Sequence, residues 1–236
     1  GQKLSSVGLS ETISTSDAHQ QAIDGINGVF EKAEGVYTLE DSISSLNSII
    51  SLNMQHGGVT TGTKTGFEQF DAKGGLQKSD LIIVAGETSM GKSSLALTIT
   101  RHAIENDAKI AFYSMEMTKE QLAARMISAK TRIPANTILY SGSMSSEELK
   151  LIDEARGALP GNNLFFDDKS TSNIDSILLS IRMMKLKSNI DGAVVDYLQI
   201  LNVNSKNTSF SREQAMGDAA RRFKNLAKEL GIWIIA

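Results

Sequence analysis

The sequence predicts an α/β domain, a mostly parallel sheet with helices on both faces, preceded by a helical N-terminal segment. Three observations carry this. From Leu81 to Ala236 short apolar runs alternate with longer runs of helical periodicity, the pattern of strands buried on both faces and linked by helices. The run Leu81-Ile82-Ile83-Val84-Ala85 leads into Gly86-Glu87-Thr88-Ser89-Met90-Gly91-Lys92-Ser93, and a helix-forming run beginning at Ser94 follows. A chain of 236 residues with 41% hydrophobic and 22% charged side chains suits one sizeable α/β domain with an appendage.

Taken in order, residues 1–15 are rich in Ser, Thr and Gly without periodicity and read as linker or disordered chain. Residues 17–34 read as a helix capped by Ser16 or Asp17, with Ala22, Ile26, Val29, Phe30 and Ala33 as its apolar stripe and Gly25 and Gly28 weakening it. That stripe needs a surface, either on its own domain or on a neighbouring subunit. A second helix opens at Thr38-Leu39-Glu40-Asp41, a capping box with Asp in the Glu position. It continues through Leu39, Ile43, Leu46 and Ile50 and ends at Gly57-Gly58. The Gly- and Thr-rich segment 60–75 reads as a loop approaching the main domain. The expected division is therefore 1–58, flexible N-terminus and helical linker, and 59–236, the α/β domain. Within the latter, strands are expected at 81–85, 109–115, 163–166, 192–201 and 232–236. Helices are expected at 92–105, 119–132, 146–159, 174–187 and 212–230. The 146–159 helix opens on a second capping box, Ser145-Ser146-Glu147-Glu148.

Composition narrows the chemistry. The net charge of −3 gives no global basic field, although a ring can confine its basic residues to a channel. There is no cysteine, so disulfides, thiolate catalysis and zinc–thiolate sites are excluded. His19, His56 and His102 lack metal-ligand spacing and read as surface or cap residues. No apolar run reaches membrane-spanning length and no signal peptide is evident, so a cytoplasmic location without membrane association is expected. The chain starts on Gly1 and stops inside the strand-like run Ile232-Trp233-Ile234-Ile235-Ala236, from which further chain on either side is expected.

The motif 86–93 reads G-x-x-x-x-G-K-S, the Walker A or P-loop pattern. Its backbone N–H groups and the following helix N-terminus suit a triphosphate. Gly86 and Gly91 are expected to provide backbone freedom and close approach, Lys92 to reach the β- and γ-phosphates, and Ser93 to bind Mg²⁺. The expected nucleotide-binding set is Gly86, Glu87, Thr88, Ser89, Met90, Gly91, Lys92, Ser93 and Ser94. Ala193-Val194-Val195-Asp196 is an apolar strand ending in Asp, the Walker B pattern, which makes Asp196 the second expected Mg²⁺ residue. Glu116 follows the next strand after the phosphate loop, at a carboxyl end where ligands sit in open α/β sheets. It reads either as the residue that polarises an attacking water or as a helix-entry glutamate favoured by the dipole. The polar loop 202–211 and the basic residues Lys206, Arg212, Arg221, Arg222 and Lys224 read either as a solvated face or as a grip on single-stranded nucleic acid.

Together these motifs resemble the C-terminal ATPase region of DnaB-type replicative helicases with its preceding linker, over roughly residues 20 to 236. The resemblance is carried by Thr60–Phe67 and Gly75–Ala85 as the lead-in to the core, Ser89-Met90-Gly91-Lys92-Ser93, Ser114-Met115-Glu116-Met117 with Gln121-Leu122 and Arg125, Asp196-Tyr197-Leu198-Gln199, and Leu226-Ala227-Lys228-Glu229-Leu230. It implies a RecA-like P-loop NTPase core using ATP and Mg²⁺. It implies Glu116 as catalytic glutamate and Arg125 near the γ-phosphate, where spacing alone made Arg125 a solvated helix residue. It implies a homo-hexameric ring with ATP between subunits, acting on single-stranded and forked DNA. Primase and a helicase loader are possible partners, and a linker helix, here placed at 17–34, docks on the adjacent subunit. Two departures stand out. Gly86-Glu87-Thr88 replaces an Ala-Arg-Pro-like run, putting Glu87 where the family has a positive residue. The family's glutamine sensor, DNA-contacting loop and arginine finger fall beyond Ala236, and its N-terminal helical domain is absent from these residues. The 236 residues alone are therefore expected to bind ATP weakly and hydrolyse it poorly. Other RecA-like ATPases (recombination or clock-type) and a non-catalytic ring-interaction fragment are the alternatives.

Overall fold

The computed structural model describes residues 37–55, 61–87, 89–168, 173–196 and 212–236. The expected 17–34 helix and the loop 202–211 lie outside them. The chain divides into two compact units, Gly1–Val59 and Thr60–Ala236.

In the first unit, helix α1 (Leu39–Gln55) starts at the expected box. The Asp41 carboxylate accepts from the Thr38 N–H (2.9 Å) and hydroxyl (2.6 Å), and Thr38 Oγ1 accepts from the Asp41 N–H (3.1 Å). The Thr38 hydroxyl, with its N–H, holds the Asp41 carboxyl below the ordinary carboxylate range. Leu39, Ile43, Leu46 and Ile50 form the expected stripe, and all four are exposed.

In the second unit the β-branched and aromatic runs build five strands: β1 (Leu81–Ile82), β2 (Ile110–Ser114), β3 (Leu164–Asp167), β4 (Gly192–Asp196) and β5 (Trp233–Ile235). Their order is β1-β5-β4-β2-β3, and every pairing is parallel. All residues of β2, β4 and β5 are buried, as strands covered on both faces require. β1 is shorter than the predicted 81–85, yet its pairing with β5 runs on through the Val84 N–H to Ala236 O bond of 2.9 Å. β4 is described only to Asp196, so the expected extension to 201 lies outside the described residues.

The helices fall where periodicity put them. After a one-turn helix α2 (Glu68–Asp71), they are α3 (Lys92–Glu105), α4 (Lys119–Thr131), α5 (Ala135–Tyr140), α6 (Ser146–Gly157), α7 (Ile174–Ser188) and α8 (Arg212–Leu230). α3 buries Ala96, Leu97, Ile99, Thr100, Ala103 and Ile104 against the sheet, a face spaced at helical period. α4 and α6 both begin in capping boxes, Thr118 with Gln121 and Ser145 with Glu148. α4 stops one residue early because Arg132 is left-handed (φ 63°). Helices α2 and α5 were not anticipated. α5 begins after Pro134 and buries no residue, so it leaves no apolar stripe to read.

The segment before β1 is tied to the core. Thr63 pairs with Leu76, and the Asp71 carboxylate accepts from the Thr65 N–H, the Thr65 hydroxyl and the Gly66 N–H at 2.7–3.0 Å. Burial works against ionisation of Asp71, but these hydrogen bonds outweigh it and its pKa is lowered. Gly66 is left-handed (φ 84°), and a Cβ there would collide with the His102 ring; His102 is therefore a packing residue beneath this turn. Trp233 closes the other end, donating to Thr63 Oγ1 (2.9 Å) while its indole lies where a Cβ on Gly192 would be. Gly192→Ala is expected to destabilise the domain by about 1–3 kcal/mol through overpacking. That lowers the melting temperature by several degrees; an unchanged melting curve would show the indole to be freely displaceable.

Candidate active site

The candidate residues gather at the carboxyl ends of β1, β4 and β2. The loop after β1 carries the backbone into α3 through Ser89 (φ 68°) and Gly91 (φ 89°). Gly91 is the N-cap of α3 and no side chain caps that helix, so its first-turn N–H groups face outward as donors for an anion. The positive φ explains glycine at 91. At 86 a Cβ would meet Met90 and Lys92 at ordinary contact, 3.7–4.0 Å, so the close approach expected there concerns a phosphate and not the protein's own atoms. Lys92 turns back on its own loop, its Nζ donating to the carbonyls of Gly86 and Glu87 at 2.9 Å each. Glu87 and Met90 are exposed, and Thr88 lies outside the described residues.

Asp196, the last residue of β4, is 5% exposed. The Ser93 hydroxyl is near enough to its carboxylate to favour the ionised form, while Asp196 Oδ2 is buried with no hydrogen-bond partner. Burial pushes its pKa above the ordinary carboxylate range; the nearby Ser93 hydroxyl pulls it back, the Glu116 charge raises it, and Arg125 and Lys92 lower it. That balance places Lys92, Ser93, Glu116 and Arg125 each within electrostatic reach of Asp196. A buried orphan carboxylate oxygen beside a serine hydroxyl is a donor set of the kind a hard divalent cation takes, so the residues present fit Mg²⁺.

Glu116 is exposed on the turn between β2 and α4. Arg125, one and a half turns into α4, lines a cleft of about 400 Å³ between α3 and α4, with Ser94, Leu97, Thr98, Arg101, Met126, Ser128 and Ala129. Arg101 was not singled out in the sequence, although Ser94, Thr98 and Arg101 mark one polar face of α3 at i, i+4, i+7. It is held by Glu105 and His102, and its Nε is buried without a partner. Three basic residues of α8 have intrachain partners: Arg222 pairs with Asp175, Arg221 with Asp218, and Lys224 Nζ donates to Ser79 O (2.8 Å). The Arg212 side chain and Lys206 lie outside the described set.

A parallel sheet in the order β1-β5-β4-β2-β3, with a glycine-rich loop between its first strand and helix, defines a RecA-like P-loop core. An ATPase domain of known structure superposes with a TM-score of 0.74 at 24% identity, covering 86% of this chain and 71% of that one. A DnaB-like replicative helicase, whose structure was described with its primase interactions, gives 0.68 at 22%, covering 92% of this chain and 57% of that one. The chain belongs to the DnaB-like helicase C-terminal domain family, which it matches over residues 62–236. It is 32% identical over 196 residues to the replicative DNA helicase DnaC of Bacillus subtilis, covering 82% of this chain and 42% of that protein. It is 35% identical over 206 residues to DnaB of Helicobacter pylori (strain ATCC 700392 / 26695), with 86% and 42% covered. It is 34% identical over 181 residues to DnaB of Geobacillus stearothermophilus, with 76% and 39% covered. The chain thus spans about 40% of the length of these relatives. Among the described residues no helix is long and apolar enough to cross a membrane.

Proposed function

We propose that this chain is the ATP-hydrolysing motor region of a replicative DNA helicase. The observation that carries the reading is the convergence of the uncapped α3 N-terminus, the partnerless buried oxygen of Asp196 and the exposed Glu116 at one end of the parallel sheet. In this reading the loop from Gly86 to Ser94 receives the phosphates on backbone N–H groups. Lys92 exchanges the Gly86 and Glu87 carbonyls for β- and γ-phosphate oxygens. Ser93 and Asp196 would hold Mg²⁺, which when bound would neutralise phosphate charge. Glu116 takes the proton of the attacking water as its oxygen bonds to the γ-phosphorus. The bond from that phosphorus to the β–γ bridging oxygen breaks, its electron pair leaving with ADP. Arg125 offsets the charge of Glu116 and the γ-phosphate.

Family membership extends this reading to a homo-hexameric ring with ATP at subunit interfaces, an arginine of the neighbour completing each site, moving along single-stranded DNA into a fork. Primase and a helicase loader are the further partners it suggests, in the cytoplasm. The test is ATP hydrolysis by the full-length polypeptide, with and without single-stranded DNA, together with its mass in solution. DNA-stimulated turnover by a hexamer is the expected result. DNA-indifferent turnover by a monomer or dimer would reduce the reading to an ATPase that shares the fold.

A further inference from the structure

A base that takes a proton from an attacking water has to be held to within about 0.5 Å, yet Glu116 lies on an exposed turn. What fixes that turn can be read bond by bond. The Met115 N–H donates to Asp196 O (3.0 Å). The Met117 N–H donates to Ser114 Oγ (3.0 Å). The Thr118 N–H donates to Gln121 Oε1 (3.1 Å). The Lys119 N–H donates to Asp168 Oδ2 (3.2 Å). The first is ordinary continuation of the sheet and the third is the helix cap. The second and fourth come from side chains outside α4, the second from a buried hydroxyl and the fourth from a carboxylate on the far side of the turn.

Ser114 is 1% exposed and is one of four buried polar or charged residues among those described, with Thr65, Thr100 and Asp196. A hydroxyl at that depth of a central strand is unfavourable unless it is bonded, and its bond is to the residue after Glu116. Ser114 is also the register partner of Asp196 across β2 and β4. It therefore touches both halves of the candidate site: Asp196 through the sheet and Glu116 through the turn. Asp168 closes the turn from outside. It follows the edge strand β3, and its carboxylate meets the Lys119 N–H and, at 3.5 Å, the Lys119 ammonium. The Lys119 N–H holds the Asp168 carboxyl below its ordinary range, so it remains a charged acceptor at neutral pH.

We infer that Ser114 and Asp168 are positioning residues for Glu116, an inner and an outer clamp that set its carboxylate at a fixed distance from Asp196. The inference rests on the ATPase reading above. The experiment is steady-state ATP turnover and nucleotide affinity of the full-length protein carrying Ser114→Ala, Asp168→Ala or Glu116→Gln, and each clamp variant combined with Glu116→Gln. Each clamp variant is expected to lower kcat about 10- to 100-fold, with KM for ATP and nucleotide affinity within about 3-fold of wild type. In the Glu116→Gln background neither should lower the residual rate further, because residues that act through one group are not additive. Asp168 is partly exposed, so Asp168→Ala decides the matter if Ser114→Ala fails to fold. Wild-type kcat in the clamp variants, or losses that multiply with that of Glu116→Gln, overturns the clamp and leaves the ATPase reading intact. Turnover indifferent to Glu116→Gln assigns the base elsewhere and overturns the clamp, whereas absence of ATP turnover in the wild-type protein overturns the ATPase reading.

Discussion

Glu116→Gln is expected to lower kcat for ATP hydrolysis by about 10²- to 10⁴-fold, a loss of about 3–5 kcal/mol of transition-state stabilisation, with nucleotide affinity nearly unchanged. The two carboxylates of the site divide the chemistry by environment. Asp196 is 5% exposed with the Ser93 hydroxyl nearby, a buried setting suited to holding an ion rather than to taking a proton from a water that enters from solvent. Glu116 is exposed, on the turn after β2, with Lys92 and Arg125 also acting on the shared centre. Glutamine keeps the shape and a hydrogen-bond acceptor but cannot accept the proton, so the proton-transfer contribution disappears while the phosphate loop is untouched. Single-turnover hydrolysis beside equilibrium nucleotide binding separates the two. A variant that loses affinity and rate together would place Glu116 in nucleotide binding, and one that keeps its rate would assign the base elsewhere.

How far the sequence led can be judged element by element. The bounds of α3 and α8 coincide with the predicted 92–105 and 212–230, because glycine-rich or polar loops precede them and their apolar faces repeat at 3.6 residues. β1, β2 and β5 are shorter than the predicted 81–85, 109–115 and 232–236, since pairing by single bonds runs past the strand ends: Val84 is still bonded to Ala236 but lies outside β1. Helices α2 and α5 bury nothing and left no periodic trace. Within the site, Lys92, Ser93 and Asp196 were legible because chain-local motifs carry them. Glu116 was legible only halfway: position at a strand end allowed a base or a helix-entry residue, and the family resemblance chose between them. Ser114 and Asp168 carried no sequence signal for their bonds. Asp168 meets Lys119 across 49 positions of chain, and only the β2–β3 pairing brings them together. The same holds for α8, where charge clustering left a nucleic-acid grip open; Arg222, Arg221 and Lys224 are engaged by Asp175, Asp218 and Ser79. Gly86 shows the converse: the motif demands it, but the ligand-free backbone does not.

Asp196→Asn is expected to abolish Mg²⁺-dependent hydrolysis, by about 10²-fold or more, and yet to leave the metal-free protein as stable as wild type or more so. Burial raises the Asp196 pKa in the folded chain, so folding favours the protonated carboxyl. That contribution is complete below the unfolded-chain value of 3.8 and is lost as pH rises through the raised folded-state value. At neutral pH the ionised group, with Oδ2 unpartnered, is therefore a net cost to the fold. Asparagine removes the charge and keeps an oxygen for the Ser93 hydroxyl; an unpaired amide costs less there than an unpaired carboxylate. The gain is about 1 kcal/mol at most, or about 2–4 °C in melting temperature for a domain of this size. It should shrink as pH is lowered through the raised pKa, where wild type becomes protonated and neutral as well. Mg²⁺ with nucleotide should raise the melting temperature of wild type much more than that of the variant, since binding to the native state alone stabilises it. A residue kept for packing behaves in the opposite way: its loss lowers the metal-free melting temperature at every pH and leaves the Mg²⁺ response in place. Melting curves at two pH values, with and without Mg²⁺ and nucleotide, thus decide whether the buried carboxylate at the end of β4 is there for the fold or for the ion.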